Sequence, residues 1–171
     1  MKTQIRIFLL SLLMTGVIYP LIVTVFAQIA FNKTANGSLI AVDGKTVGSA
    51  LLAQKFESDR YFWARPSANN YDPLASGGTN LSPTSNKLLA QVREREKGNK
   101  NMPKEMLFAS GSGLDPDISL ENALFQAKRV AKARSFDLAR VTGLVQINVK
   151  ANPFGQSYVN VLELNVALDK L

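Results

Sequence analysis

The first long pattern along the chain is an unbroken apolar one. From Ile7 to Asn32 the sequence reads IFLLSLLMTGVIYPLIVTVFAQIAFN, with no charged residue. A helix needs about 20 residues to cross the roughly 30 Å hydrocarbon core of a bilayer. Residues 7–30 satisfy this, so a transmembrane helix is expected there. Pro20 lies inside the run, where a membrane helix tolerates it, usually with a kink. Ser11, Thr15, Tyr19 and Thr24 are polar positions available to a neighbouring helix.

A cleaved signal peptide is the competing reading, because Val25 and Ala27 suit the two positions read before a cleavage after Ala27. The apolar core of a signal peptide runs about 7–15 residues. This run is longer and continues through Ile29, Ala30 and Phe31, which favours an uncleaved anchor. Lys2 and Arg6 flank its short side, and Lys33 is the only nearby charge on the other. The positive-inside rule then leaves residues 1–6 in the cytoplasm and residues 31–171 outside it.

After the anchor the pattern shortens and mixes. Ser38–Val42 reads as a strand, Asp43-Gly44 as a tight turn, and Lys45-Thr46-Val47 as the returning strand. Leu51, Leu52 and Phe56 suggest a short helix. Tyr61-Phe62-Trp63 is an aromatic cluster suited to a core. Residues 64–83 hold three prolines and an adjacent glycine pair, and read as a long, functional loop rather than disorder. Ser82-Pro83 is expected to open a helix that stops at Gly98. A second helix is expected after its cap, Ser119, with Glu121 in its first turn. Its small residues Ala123, Ala127, Val130 and Ala131 share one side with Arg134. A third helical piece is expected over Leu138–Val145. The final run, Tyr158–Val166, is apolar on both faces and reads as a buried central strand. The sum is a single mixed α+β domain after one membrane helix.

Composition narrows the chemistry. The 171 residues contain no cysteine and no histidine. Disulfides, thiolate nucleophiles, imidazole ligands and His-dependent triads are therefore excluded. The net charge is +7, and without Lys2 and Arg6 the rest carries 18 basic against 13 acidic residues. That excess suits acidic partners or lipid heads. No aromatic-and-basic signature points to nucleic acid. Lys128, Arg129, Lys132 and Arg134 crowd one helix, either as a solvated face or as a docking surface.

Ser76-Gly77-Gly78-Thr79-Asn80 has the composition of a phosphate-contacting loop, without the Gly-Lys-Ser/Thr of a P-loop. A tight turn before the Ser82 cap is the favoured account. Ser110-Gly111-Ser112-Gly113 lacks the third glycine of a dinucleotide fingerprint. Asp115 and Asp117 flank a proline and read as Asx-turn and cap residues.

Several stretches together resemble the KdpC family. They are Arg65-Pro66-Ser67-Ala68, Tyr71, Ser76–Leu81, Ser110–Ser119, Gln126, Arg129-Val130-Ala131, Ala133-Arg134, Val159–Asn165 and Leu168-Asp169. Their order and spacing match, and the likeness spans the whole chain. Ala64 stands where the family usually has Gly, Asp117 where His is common, and Gln156-Ser157-Tyr158 where Glu-Pro-Arg is usual.

The resemblance implies a non-catalytic C subunit of a bacterial or archaeal potassium-transporting P-type ATPase. The implied partners are a potassium-translocating subunit, an ATP-hydrolysing subunit and a small single-span peptide in the plasma membrane. The implied role is assembly and a raised affinity for ATP, with ATP and potassium handled by the complex rather than bound here as cofactors. Candidate partner contacts are Tyr19, Thr24, Arg65, Lys128, Arg129, Lys132 and Arg134. Candidate nucleotide contacts are Ser76, Gly77, Gly78 and Asn80, which would require the opposite membrane topology. The alternative reading is a free-standing, membrane-tethered binding protein or hydrolase.

Overall fold

Pro20 shapes the first element. It lacks an N–H, and its ring would crowd the carbonyl four residues back. The structure, a computed structural model, describes residues 1–99, 101–153 and 155–171, and it divides into two compact units, 1–39 and 40–171. In the first unit, α1 (Lys2–Leu13) leads through a π-helical turn (Met14–Ile18) into α2 (Tyr19–Ala30). The Tyr19 N–H donates to the Met14 carbonyl, five residues back. This wider turn, just before the proline, makes room for its ring without breaking the helix. The result is a continuous 29-residue helix whose most apolar 18-residue stretch has a mean hydropathy of 2.2, long and apolar enough to cross a membrane. A short α3 (Asn32–Ala35) follows. The Asn32 and Asn36 amides both donate to Gln28 Oε1, at 3.1 and 3.0 Å.

Apart from Leu39, two small sheets lie in the second unit. A hairpin pairs β1 (Leu39–Val42) with β2 (Lys45–Ser49). Asp43 (φ +50°) and Gly44 (φ +76°) make the turn, both in the left-handed region that such a turn requires. A three-stranded antiparallel sheet has the order β3 (Asp117–Ser119), β5 (Tyr158–Asn160), β4 (Val149–Lys150). Ile118 lies opposite Val159, and Val149 lies opposite Val159 on the other side.

Helices cover the sheet. In α6 (Leu120–Arg134), Ser119 accepts the Asn122 N–H as the cap, and Ala123, Ala127, Val130 and Ala131 are buried. These small residues let α7 (Leu138–Ile147) pack closely, with Val141 and Val145 fully buried. Asp137 caps α7 by accepting the Ala139 N–H. The core is completed by Phe62, Ile118, Val159, Leu164 and Leu168. Burying a side chain the size of Phe62 contributes about 1.5–3 kcal/mol.

The mixed α+β class matches the sequence reading, and three local expectations are corrected. The run Tyr158–Val166 is not one strand: β5 ends at Asn160, and α8 (Val161–Leu168) begins there. The Asn160 side chain accepts the Glu163 N–H and caps the helix. An apolar run buried on both sides suits either element, and the capping asparagine decides. Leu51, Leu52 and Phe56 form no helix; the chain turns at 50–52 and runs extended, with the Ala53 N–H donating to the Leu114 carbonyl at 3.0 Å. The helix expected at Ser82 starts later, as α4 (Asn86–Glu96). Ser82 instead closes a local turn: its carbonyl accepts the Ser85 N–H, and its hydroxyl bonds Thr84. Such local bonds compete with helix initiation. The C-terminal stop is as expected, through left-handed Lys97 and Gly98. A one-turn α5 (Lys104–Leu107) precedes β3.

Residues 64–83 contain no helix or strand, as read, yet they are tied down. The Ser67 hydroxyl accepts the Asn69 and Tyr71 N–H groups, and the Tyr71 hydroxyl donates to the Arg65 carbonyl at 2.9 Å.

Candidate functional site

Among the described residues, no strand pairs with the aromatic stretch Tyr61-Phe62-Trp63 as it crosses the domain. Two buried amide side chains take the place of such a strand. Asn165 accepts the Phe62 N–H at 2.9 Å and donates back to the Phe62 carbonyl at 3.0 Å. Gln126 does the same for Trp63, at 2.8 and 3.0 Å. Both amides are almost wholly buried. An amide has one acceptor and two donors, so it satisfies a backbone pair that would otherwise lie unpaired. The Gln126 amide also donates to Asn122 Oδ1 at 3.1 Å, and Asn122 donates to Glu105 at 3.3 Å.

Two arginines of α6 extend the network outward. Arg129 donates to the carbonyls of Asp59 (2.8 Å) and Tyr61 (3.0 Å) and to Gln126 Oε1 (2.8 Å). Its guanidinium stacks 3.5 Å from the Trp63 ring centre, a cation–π contact. Burial pulls its pKa down to about 10, against the opposing pull of Asp59, so it stays a cation at neutral pH. Arg134 donates to the Arg60 carbonyl at 2.8 Å and pairs with Asp169 at 2.6 Å. The Tyr61 hydroxyl donates to the other oxygen of Asp169 at 3.2 Å.

The basic cluster of α6 therefore splits. Arg129 and Arg134 turn inward and hold the 59–63 backbone, whereas Lys128 and Lys132 are exposed. Arg65 lies elsewhere, half-buried and paired with Asp115 at 3.1 Å. On the apolar helix Tyr19 is 65% exposed. The Thr24 hydroxyl donates to the Pro20 carbonyl at 2.8 Å, within its own helix.

The two glycine stretches meet. The Gly77 N–H donates to the Ser112 carbonyl at 2.8 Å, and the Ser76 hydroxyl donates to the same oxygen at 3.1 Å. A Cβ on Gly78 would lie 3.1 Å from the Gly111 carbonyl oxygen, and one on Gly113 only 2.8 Å from that of Gly77. Two donors that a phosphate would use are thus engaged within the chain. Asn80 is exposed, with φ +52°.

Asp115 and Asp117 form the Asx turn read from the sequence: the Asp117 N–H donates to Asp115 Oδ1 at 3.2 Å. Asp117 also accepts Asn160 Nδ2 at 2.9 Å. Burial pushes its carboxyl above the usual range; the Asn160 hydrogen bond opposes this and Asp115 reinforces it. Burial likewise raises Tyr71, with Arg95 opposing. Among the described residues, no group of three or more Asp and Glu side chains converges as a metal site.

The sequence reading missed Gln126 and Asn165 as functional positions. The available signal was an uncharged amide on an otherwise apolar helical face.

Comparison with known proteins supplies the identity. The family described as KdpC, the c chain of K+-transporting ATPase, matches residues 1–170. A potassium-transporting ATPase KdpC subunit of Staphylococcus aureus (strain bovine RF122 / ET3-1) is 42% identical over 180 residues, covering 99% of this chain and 97% of that one. The corresponding subunit of Leptospira interrogans is 44% identical, covering 97% and 91%. That of Gemmatimonas aurantiaca is 46% identical, covering 93% and 86%. With one apolar helix, one mixed α+β domain and a match along its whole length, the chain belongs to the KdpC family.

Proposed function

We propose that this chain is a non-catalytic accessory subunit of an ATP-driven potassium uptake complex. It assembles with the potassium-translocating subunit, the ATP-hydrolysing subunit and the small single-span subunit, and it raises the complex's affinity for ATP. The observation that carries this is the family match over residues 1–170, which includes both the apolar helix and the domain.

The helix, long and apolar enough to cross a membrane, supports a place in the inner (plasma) membrane. Lys2 and Arg6 favour an N-terminus in the cytoplasm and a domain outside. ATP is then out of the domain's reach, and its influence on ATP use is conformational, through the span and the partner subunits. The engagement of Ser76 and Gly77 with Ser112 favours this route over direct nucleotide contact at Ser76, Gly77, Gly78 and Asn80. Tyr19, Thr24, Arg65, Lys128 and Lys132 remain the proposed partner contacts. Arg129 and Arg134 contribute by holding the 59–63 segment.

Two experiments test the reading. The tagged chain, solubilised in mild detergent, is expected to bring down two large multi-span subunits; running alone would contradict it. A reporter active only outside the cytoplasm, fused after Leu171, is expected to be active, and an inactive fusion would reverse the topology.

A further inference from the structure

Trp63 lies between two adjoining hollows on the domain. One, of about 530 Å³, is lined by Phe125, Lys128 and Asn99 among others. The second, of about 310 Å³, is lined by Tyr71, Arg95 and Lys97 among others. Trp63, Met102 and Met106 line both. The hollows therefore join into one groove with an apolar floor and a cationic rim.

The charges on that rim are not balanced. Among the described residues that line it, Glu57 is the only acid, and it is paired with Lys55 at 2.6 Å. Arg95 donates to the Leu107 carbonyl at 2.7 Å, and Arg129 is held by the 59–61 backbone and Gln126 and pairs with the Asp59 carboxylate at 3.6 Å. Lys97 and Lys128, one in each hollow, face no carboxylate within pairing distance among the described residues. The floor is adaptable on one side and rigid on the other. Methionine side chains repack around different shapes, while Trp63 is pinned by Gln126 and Arg129.

We infer that this groove docks an acidic segment of another subunit of the complex, with apolar side chains on the Trp63–Met102–Met106 floor and carboxylates at Lys97 and Lys128. The inference rests on the proposed accessory role. A protein segment fits better than a bilayer surface. Membrane-surface binding needs apolar side chains that protrude beside their cations, and here Trp63, Met102, Met106 and Phe125 are half-buried in a concavity.

The test uses the full chain with its co-purified subunits. The double reversal Lys97→Glu with Lys128→Glu is expected to lower their recovery about tenfold at physiological salt, because two attractive pairs become repulsive. Lys87→Glu, at an exposed lysine outside the groove, is expected to leave recovery unchanged. Full recovery with the double variant overturns the groove while leaving the accessory role intact. A wild-type chain that recovers no subunit overturns the accessory role itself. A double variant that keeps its subunits but loses binding to phosphatidylglycerol vesicles assigns the groove to lipid and overturns the inference. A benzoyl-phenylalanine photo-crosslinker replacing Phe125 in the purified complex guards against a folding defect. A mapped adduct on a partner segment where Asp or Glu adjoins apolar residues supports the inference. An adduct on lipid alone, or none, contradicts it.

Discussion

Gln126 and Trp63 exchange two hydrogen bonds, at 2.8 and 3.0 Å, across 63 positions of sequence. A side-chain amide thus completes the backbone pairing of a segment with which no strand among the described residues pairs. The same device, Asn165 on Phe62, spans 103 positions. Together they tie the aromatic segment to α6 and α8, and the arginines of α6 depend on the carbonyls that this segment presents.

Removing either amide leaves a buried N–H and a buried carbonyl unpaired. Gln126→Leu or Asn165→Leu is therefore expected to destabilise the domain by about 2–5 kcal/mol. Trp63 is the only tryptophan, so its fluorescence during urea unfolding of the detergent-solubilised chain reports directly on the site.

Arg129 works through geometry as well as charge. Arg129→Lys keeps the cation but loses the planar fork that reaches Asp59, Tyr61 and Gln126 and the stack on Trp63. A loss of about 1–3 kcal/mol is expected, together with a shifted Trp63 emission maximum in the folded protein. An unchanged spectrum would mean that the stack does not persist in solution.

The glycine loops are expected to respond unequally to an added methyl group. Gly113 has φ +71°, and a Cβ there would lie 2.6 Å from Asn69 Oδ1. Gly113→Ala should cost about 1–3 kcal/mol of backbone strain and open residues 67–80 to limited proteolysis. Gly77→Ala meets nothing within 4 Å and is expected to leave the digestion pattern unchanged.

Asp117 gives a pH dependence of definite sign. Its folded pKa lies above the usual 3.8, so the folded chain holds the proton more tightly than the unfolded one. Its contribution is then complete below the usual value and is lost as pH rises through the raised one. Asp117→Asn removes that loss. Its urea midpoint, relative to wild type, should rise from acid toward neutral pH, and a flat difference would contradict the shift.

Local chemistry explains which parts of this fold were legible. The Asp43-Gly44 turn, the Ser119 cap and the Gly98 stop each depend on a residue type acting within a few positions, and each is found. The final run misled because apolar periodicity cannot separate a buried strand from a buried helix. The pairing of Gln126 with Trp63 was beyond reach, since it joins elements that only tertiary packing brings together. The split of the α6 charges into inward arginines and outward lysines had the same cause.

The proposed role is that this chain raises the pump's affinity for ATP without binding ATP itself. The most direct test measures the KM for ATP of potassium-stimulated hydrolysis in the complex purified with and without this chain. The account predicts a higher KM when the chain is absent, and no ATP binding by the chain alone. An unchanged KM without the chain, or ATP bound by the isolated chain, would contradict it.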